Sequence, residues 1–325
     1  MAIDTGILTN IGFYVSIAIV FAVLALGFNL QWGYTGLFNA GIAGFFLVGA
    51  YVTAIAITPL SPPIIIGGVT VYPGHLGGYS LPFVVGALLA MVVSGLTAAL
   101  IAIPALRLRA DYLAIATIAF AEILRIFAIN LESTTGGTIG LILIPPLIQH
   151  VPPDPFLSAV TFVAIGGAIL LALLLVLQFI SESPWGRVLR AIRDDEEATM
   201  ALGKNAYRYK LQAFALGGAI MGLAGALFAV VLLYNEPSGS FAPAVTFSVW
   251  VMVIVGGAGN NRGAILGAFL IYGMEWGSVQ LKDLAPAQLR DTIFYIRIMI
   301  IGVLLILLVL FRPEGVLRER KRALG

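Results

Sequence analysis

Residues 157–203 read LSAVTFVAIGGAILLALLLVLQFISESPWGRVLRAIRDDEEATMALG. No charged residue occurs between Leu157 and Ile180, and about 20 apolar residues suffice for a helix to cross a bilayer. The chain then turns polar at once. Ser183 is suited to cap a helix whose first residue is Pro184, because a hydroxyl there accepts from a free N–H and proline has none to lose. Gly203 suits the left-handed position just past the end. Read as one helix, 184–203 has Val188, Ala191, Ile192, Thr199 and Leu202 along one face and Arg190, Asp194 and Glu197 along another. Arg187, Arg190 and Arg193 precede Asp194, Asp195, Glu196 and Glu197, the reverse of what a helix dipole favours. Such a helix gains little on its own, which argues for a partner. The alternative is a solvated loop helix carrying cytoplasmic arginines.

Working outward, further apolar segments at 11–31, 34–58, 81–104, 111–131, 212–234, 244–256, 264–281 and 292–311 flank this one. Segment 244–256 is short and runs into Gly256-Gly257-Ala258-Gly259; it is either a half-helix or continuous with the next segment. The sequence therefore predicts an all-α, polytopic transmembrane helix bundle of about nine spans, with eight or ten as alternatives. Its 325 residues are expected to form a single transmembrane domain with no soluble domain. The longest polar interval is 181–211. Charged residues make up 10% of the chain against roughly 25% in a soluble domain, too few to clothe a water-facing surface.

Lys and Arg gather in cytoplasmic loops. Nine spans with an outside N-terminus put 105–110, 181–211, 257–263 and 312–325 in the cytoplasm. These stretches hold Arg107, Arg109, Arg187, Arg190, Arg193, Lys204, Arg208, Lys210, Arg262, Arg312, Arg318, Arg320, Lys321 and Arg322. The opposite loops hold Lys282 and Arg290. A cytoplasmic C-terminus and a cytoplasmic 181–211 loop follow. Met1 to Thr9 lack Lys and Arg, so the first apolar stretch is expected to be a retained span rather than a signal peptide.

Several chemistries are excluded. With no cysteine there is no disulfide, zinc–thiolate or iron–sulfur site and no thiol catalysis. His75 and His150, both in expected external loops, are the only histidines, which leaves an intramembrane enzyme few options. No G-x-x-x-x-G-K-[ST] phosphate loop occurs. An ATP-driven mechanism would need a separate energising subunit. No cofactor, metal or nucleic-acid partner is expected.

Segment 183–218 resembles the cytoplasmic loop of permeases in the branched-chain amino-acid ABC importer family. The likeness rests on Ser183, Gly186, Arg187, Ala191, Ile192, Arg193, Glu196 or Glu197, Ala198 and Gly203, then Tyr209-Lys210-Leu211. It extends to Gly33-Tyr34-Thr35-Gly36-Leu37, Gly41, Phe45-Phe46 and Gly49-Ala50-Tyr51; to Arg107-Leu108-Arg109, Asp111-Tyr112, Thr117 and Phe120-Ala121-Glu122-Ile123; to Thr135-Gly136-Gly137 with Gly140-Leu141; and to Gly256-Gly257 with Gly263 and Gly267-Ala268. Ile42 departs from the pattern, where many members have His. The resemblance is to the methionine-type partner of the two permeases such systems carry, and it extends to related urea and amide importers. It implies a multi-pass protein of the bacterial inner membrane. The implied partners are a second homologous permease, ABC ATPase subunits that use ATP and Mg, and a periplasmic solute-binding protein. It also implies that 184–203 is a coupling helix docking on the ATPase through Arg187, Arg190, Arg193, Asp194, Glu196, Glu197, Ala198 and Gly203.

Within the spans, Glu122 and Arg125 are three apart and share a helix face. A charge at that depth faces the bundle interior or water, so the pair either lines a translocation path or fixes helix packing. Asn39 and Gly41 lie in a glycine-rich stretch that either packs tightly or breaks the helix and frees backbone groups for a zwitterion. Thr135, Gly136 and Gly137 complete the candidate path on the external side. Glu275 and Arg297 are a further possible pair. Three transport readings remain open: a branched-chain or small neutral amino-acid importer, a urea or short-amide importer, and an ion-coupled carrier using Glu122 or Glu275.

Overall fold

The computed structural model describes residues 5–59, 64–71, 78–147, 154–284, 290–312 and 314–319. His75, His150, Arg320, Lys321, Arg322 and part of the 132–156 loop lie outside them. Where nine apolar segments were expected, the described residues hold nine helices of fourteen or more residues. These are α1 (Thr5–Phe28), α2 (Ile42–Ile57), α3 (Phe83–Ala105), α4 (Ala110–Asn130), α6 (Pro155–Glu182), α9 (Ala206–Leu232), α10 (Pro243–Gly256), α11 (Asn261–Leu284) and α12 (Arg290–Phe311). Three short helices complete the set: α5 (Glu132–Thr135), α7 (Pro184–Asp194) and α8 (Glu196–Ala201). Among the described residues the two named strands form a hairpin, β1 (Ile64–Ile66) and β2 (Val69–Val71) around Gly67-Gly68, where β-branched residues flank a turn that needs positive φ.

Among the described residues five helices are long and apolar enough to cross a membrane: α1 with its extension to Gly33, α3, α4, α6 and α9. The stretches 42–57, 243–256 and 295–308 are shorter apolar helices. The 244–256 segment does not continue into the next. It ends at Gly256, the chain turns through Gly257 at φ 115°, and α11 folds back along α10.

Helices α1 and α9 bury most of their apolar length, whereas α4 and α6 leave most of theirs open. The centre is α9, packed against α1, α2 and α3. Small residues make this possible: a Cβ on Gly49 would strike the backbone of Gly222, and one on Gly225 would strike that of Phe46 and Ala50. Close backbone approach is how helices associate where lipid supplies no hydrophobic drive between them. Phe46 fills the space beside this crossing, with ring centroids 4.9 Å from Phe228 and 5.2 Å from Phe241. The outer faces carry Leu88, Leu96, Leu100, Ile115, Phe127, Leu171, Leu175, Phe179, Met299 and Leu310, all exposed. An apolar belt of that extent is a lipid or partner surface.

The first span is not a simple helix. After Phe28 it continues as a π-turn, Asn29–Gly33, and is non-helical from Gly36 to Gly41. The second segment therefore starts at Ile42, not at 34 as the hydropathy suggested. The polar helix expected over 184–203 is likewise two helices. Asp195, extended at φ −155° and ψ 105°, separates α7 from α8.

Candidate functional site

Four groups of candidate residues can now be placed. The first surrounds the break between α1 and α2. Several of the freed backbone groups there are satisfied within the chain. Leu37 N donates to Gln31 O at 3.0 Å, Ala40 N to Thr117 Oγ1 at 3.0 Å and Gly41 N to Asn39 Oδ1 at 2.7 Å. Trp250 Nε1 donates to Asn39 O at 3.1 Å. Asn39 Nδ2 in turn donates to Gln31 Oε1 at 2.8 Å, and Gln31 Nε2 to Phe214 O at 2.8 Å. Asn29 closes the other side, with Nδ2 to Asn261 Oδ1 at 3.0 Å and Oδ1 accepting from Gly259 N at 2.8 Å. Asn29, Gln31 and Asn39 are wholly buried. At Gly41 an added Cβ would meet Thr117 O, and Ile42 is also fully buried. The helix is broken here, and its polar side chains bond to one another and to neighbouring backbone. Thr117, Trp250 and Asn261 belong to this junction and were missed as such, because their partners lie 77 to 232 residues away.

The second group is the Glu122–Arg125 pair on α4. Arg125 Nε donates to Glu122 Oε2 at 2.9 Å and Nη2 to Oε1 at 2.5 Å. The two side chains are 36% and 20% exposed respectively, so the pair is not sealed in the core. Glu122 stands at the rim of a shallow recess with Ala43, Ala121, Phe241 and Thr246. Glu275 accepts from Ser248 at 3.3 Å, and Arg297 donates to Ser278 at 3.2 Å.

The third group is external by the charge argument. Thr135 Oγ1 points back to Ala128 O at 2.6 Å and Leu131 O at 2.7 Å, finishing α4. Gly136 and Gly137 follow at φ 75° and 62°. Leu141 then pairs with Asn235 in both directions, at 3.0 and 2.8 Å, and Asn235 Nδ2 reaches Ala50 O at 3.0 Å. This ties the loop to the middle of α2 and to the residues just past α9. Thr138 remains exposed. Thr135, Gly136 and Gly137 thus shape the turn and lie at the end of the bundle remote from α7.

The fourth group is α7–α8. Ser183 caps α7 as the sequence suggested, with Pro184 first. The break at Asp195 accounts for part of the charge order, although Asp194 still ends α7. Arg193 falls in the last turn of α7, and Glu196 and Glu197 in the first turn of α8; both placements suit a helix dipole. Asp195 Oδ1 caps α8 by accepting from Ala198 N at 2.9 Å. The expected apolar face is also revised. Gly186, Leu189 and Ile192 are buried on α7, as is Thr199 on α8, whereas Leu202 is 82% exposed. A strip of Val188, Ala191 and Leu202 requires a continuous helix, and the break rotates α8 out of register.

The charges divide in the same way. Arg193 turns inward to the carbonyl of Gly33 and to Glu319 Oε2 at 2.9 Å. Glu196 accepts from Lys210 at 2.5 Å. Arg190 lies over the Tyr34 ring, 5.9 Å from its centroid. Arg187, Asp194, Glu197, Ala198, Met200, Leu202 and Gly203 are exposed, and Gly203 is left-handed at φ 80°. Among the described residues no group of three or more His, Asp or Glu side chains is placed to hold a metal ion.

A bundle of apolar helices with a broken first span, and a capped polar pair of short helices between two long spans, defines a multi-pass membrane transport protein. The family model described as branched-chain amino acid transport system / permease component matches residues 10–309, and the chain belongs to that family. It is 31% identical to the high-affinity branched-chain amino acid transport system permease protein LivM of Salmonella typhimurium, over 93% of this chain and 68% of the relative. It is 26% identical to the probable branched-chain amino acid transport permease protein LivM of Methanocaldococcus jannaschii, over 93% and 91%. LivH of S. typhimurium is 24% identical over 93% and 92%. No solved structure matches the chain.

Proposed function

We propose that this chain is the permease subunit of an ATP-driven importer for branched-chain or other small neutral amino acids in the bacterial inner membrane. It works beside a second homologous permease, with ATP and Mg consumed by separate ATPase subunits and solute delivered by a periplasmic binding protein. Similarity to both LivM and LivH supports a paired arrangement. The α7–α8 element carries the reading. Its capped, amphipathic α7 is seated on the bundle, while Glu197, Ala198, Met200, Leu202 and Gly203 stand out from it. An exposed Leu and Met beside a carboxylate suit a partner cleft better than water. The nine-span arrangement, with 181–211 and the C-terminus cytoplasmic, follows from the Lys and Arg distribution. The 132–156 loop receives the binding protein on the other side.

The test is uptake of radiolabelled L-leucine into proteoliposomes that contain the whole complex. Import that requires ATP and loaded binding protein is expected, and the purified chain alone should hydrolyse no ATP. Uptake by the chain alone on an ion gradient would establish the carrier alternative instead. Sidedness is read from Thr138→Cys in this cysteine-free chain: a membrane-impermeant maleimide should label it in whole cells, and labelling only after lysis would reverse the topology.

A further inference from the structure

Arg193 joins three elements that are far apart in sequence. From the last turn of α7 its Nη1 donates to the carbonyl of Gly33, the last residue of the π-turn. Its Nη2 donates to Glu319 at 2.9 Å, in the stretch that follows α12. That stretch is itself pinned to the α10–α11 turn. Val316 N donates to Val255 O at 2.9 Å, Leu317 N to Gly256 O at 3.0 Å, and Asn260 Nδ2 to Arg318 O at 2.9 Å. The fit is close on both sides: a Cβ on Gly36 would lie 3.3 Å from Arg193 Cγ, and one on Gly259 would lie 3.0 Å from the Glu319 carboxylate. The π-turn carries Asn29 and Gln31, whose side chains hold Gly259, Asn261, Phe214 and Asn39. One guanidinium therefore contacts the root of the polar junction and the strap across α10 and α11.

We propose that Arg193 is a positioning residue that transmits displacement of α7 to the break between α1 and α2, with Glu319 and the 314–319 strap as its counter-anchor. The inference rests on α7–α8 being the element that the ATPase moves. Arginine fits this role because a planar fork can hold two acceptors at a fixed angle, whereas a lysine is a single point charge. The carbonyl it holds belongs to a π-turn, a helix form whose extra residue can be absorbed or released locally. A push on α7 is thereby delivered to the least regular part of the bundle rather than spread through its packed core.

The proposal is tested on the complete complex in proteoliposomes by the amount of L-leucine imported per ATP hydrolysed. Arg193→Ala should lower this ratio at least tenfold, Arg193→Lys should restore part of it, and Glu319→Ala should fall between them. A second measurement needs no variant. In the wild-type complex, a non-hydrolysable ATP analogue should change amide exchange in α7, in 34–41 and in 314–319 together. An unchanged import ratio in Arg193→Ala, or exchange that changes in α7 but not in 34–41, overturns the link. Wild-type import that does not depend on ATP overturns the importer reading itself, and is distinguishable because it appears before any substitution is made.

Discussion

The junction at the end of α1 and the α7–α8 pair are both polar, both interrupt a helix and both carry the resemblance to the family. They differ in where their polar groups point. At the junction, Asn29, Gln31 and Asn39 are sealed and bonded to one another, to backbone and to Asn261. In α8, Glu197, Ala198 and Met200 face outward. Burying a polar group is costly unless it is bonded, so the first arrangement fixes geometry and tolerates no loss. The second has groups left over, which is what a contact surface requires. Polarity in a membrane segment identifies neither; satisfaction does.

The comparison can be broken most forcefully at Gln31. Gln31→Leu leaves Asn39 Nδ2 without its acceptor and removes the side-chain donor that Phe214 O has beyond its place in α9. At about 1–3 kcal/mol for a buried orphan, a loss of that order is expected, read as a drop in thermal stability of the detergent-solubilised protein. A melting temperature equal to wild type would mean that the junction is not a lock. Gly203→Val acts on the other region. Nothing lies within 4 Å of its added Cβ, so the cost is backbone strain alone at φ 80°, about 1–3 kcal/mol. It should stay local, with the bundle's melting temperature retained and leucine-stimulated ATPase activity reduced.

Asp195→Ala sharpens the contrast further. Loss of the bond to Ala198 N should cost about 1 kcal/mol and speed amide exchange in α8 without altering α9. Unchanged exchange at Ala198 would show that the cap is dispensable. Glu197→Lys should have the smallest effect on stability, within roughly 0.5 kcal/mol for an exposed site. Its effect should appear only as weaker co-purification of the ATPase, and full co-purification would remove Glu197 from the docking surface.

Much of the scaffold was legible in the sequence. Apart from the second, which starts at Ile42, the apolar segments coincide closely with helices, and the Ser183–Pro184 start and the left-handed Gly203 are where local chemistry put them. These are signals carried by neighbours: an apolar run, a cap, a glycine. Two features were not legible, for the same reason. Asp195 breaks a helix that its Ser183–Pro184 start and Gly203 end describe as continuous, because it can cap Ala198 while Leu189 and Ile192 remain seated on the bundle. Arg193 reads as one of three similar arginines until Gly33 and Glu319 are brought to it across 160 and 126 residues. The Glu122–Arg125 pair shows the intermediate case: its spacing fixed the bond between the two, but not that it would sit at the rim of an open recess.

The interruption at Asp195 also bears on how such a chain can diverge. Substitutions before it fall on α7, whose buried face and inward arginine are tied to the rest of the bundle, and they will be filtered for folding. Substitutions after it fall on a six-residue helix with a single buried side chain, Thr199, and are largely free of that filter. If 196–203 is the docking surface proposed above, partner choice can drift, or be re-engineered, there while the bundle stays intact. A graft confined to those eight positions, with the Glu196–Lys210 bond kept, would then teach one transporter to answer to another's motor.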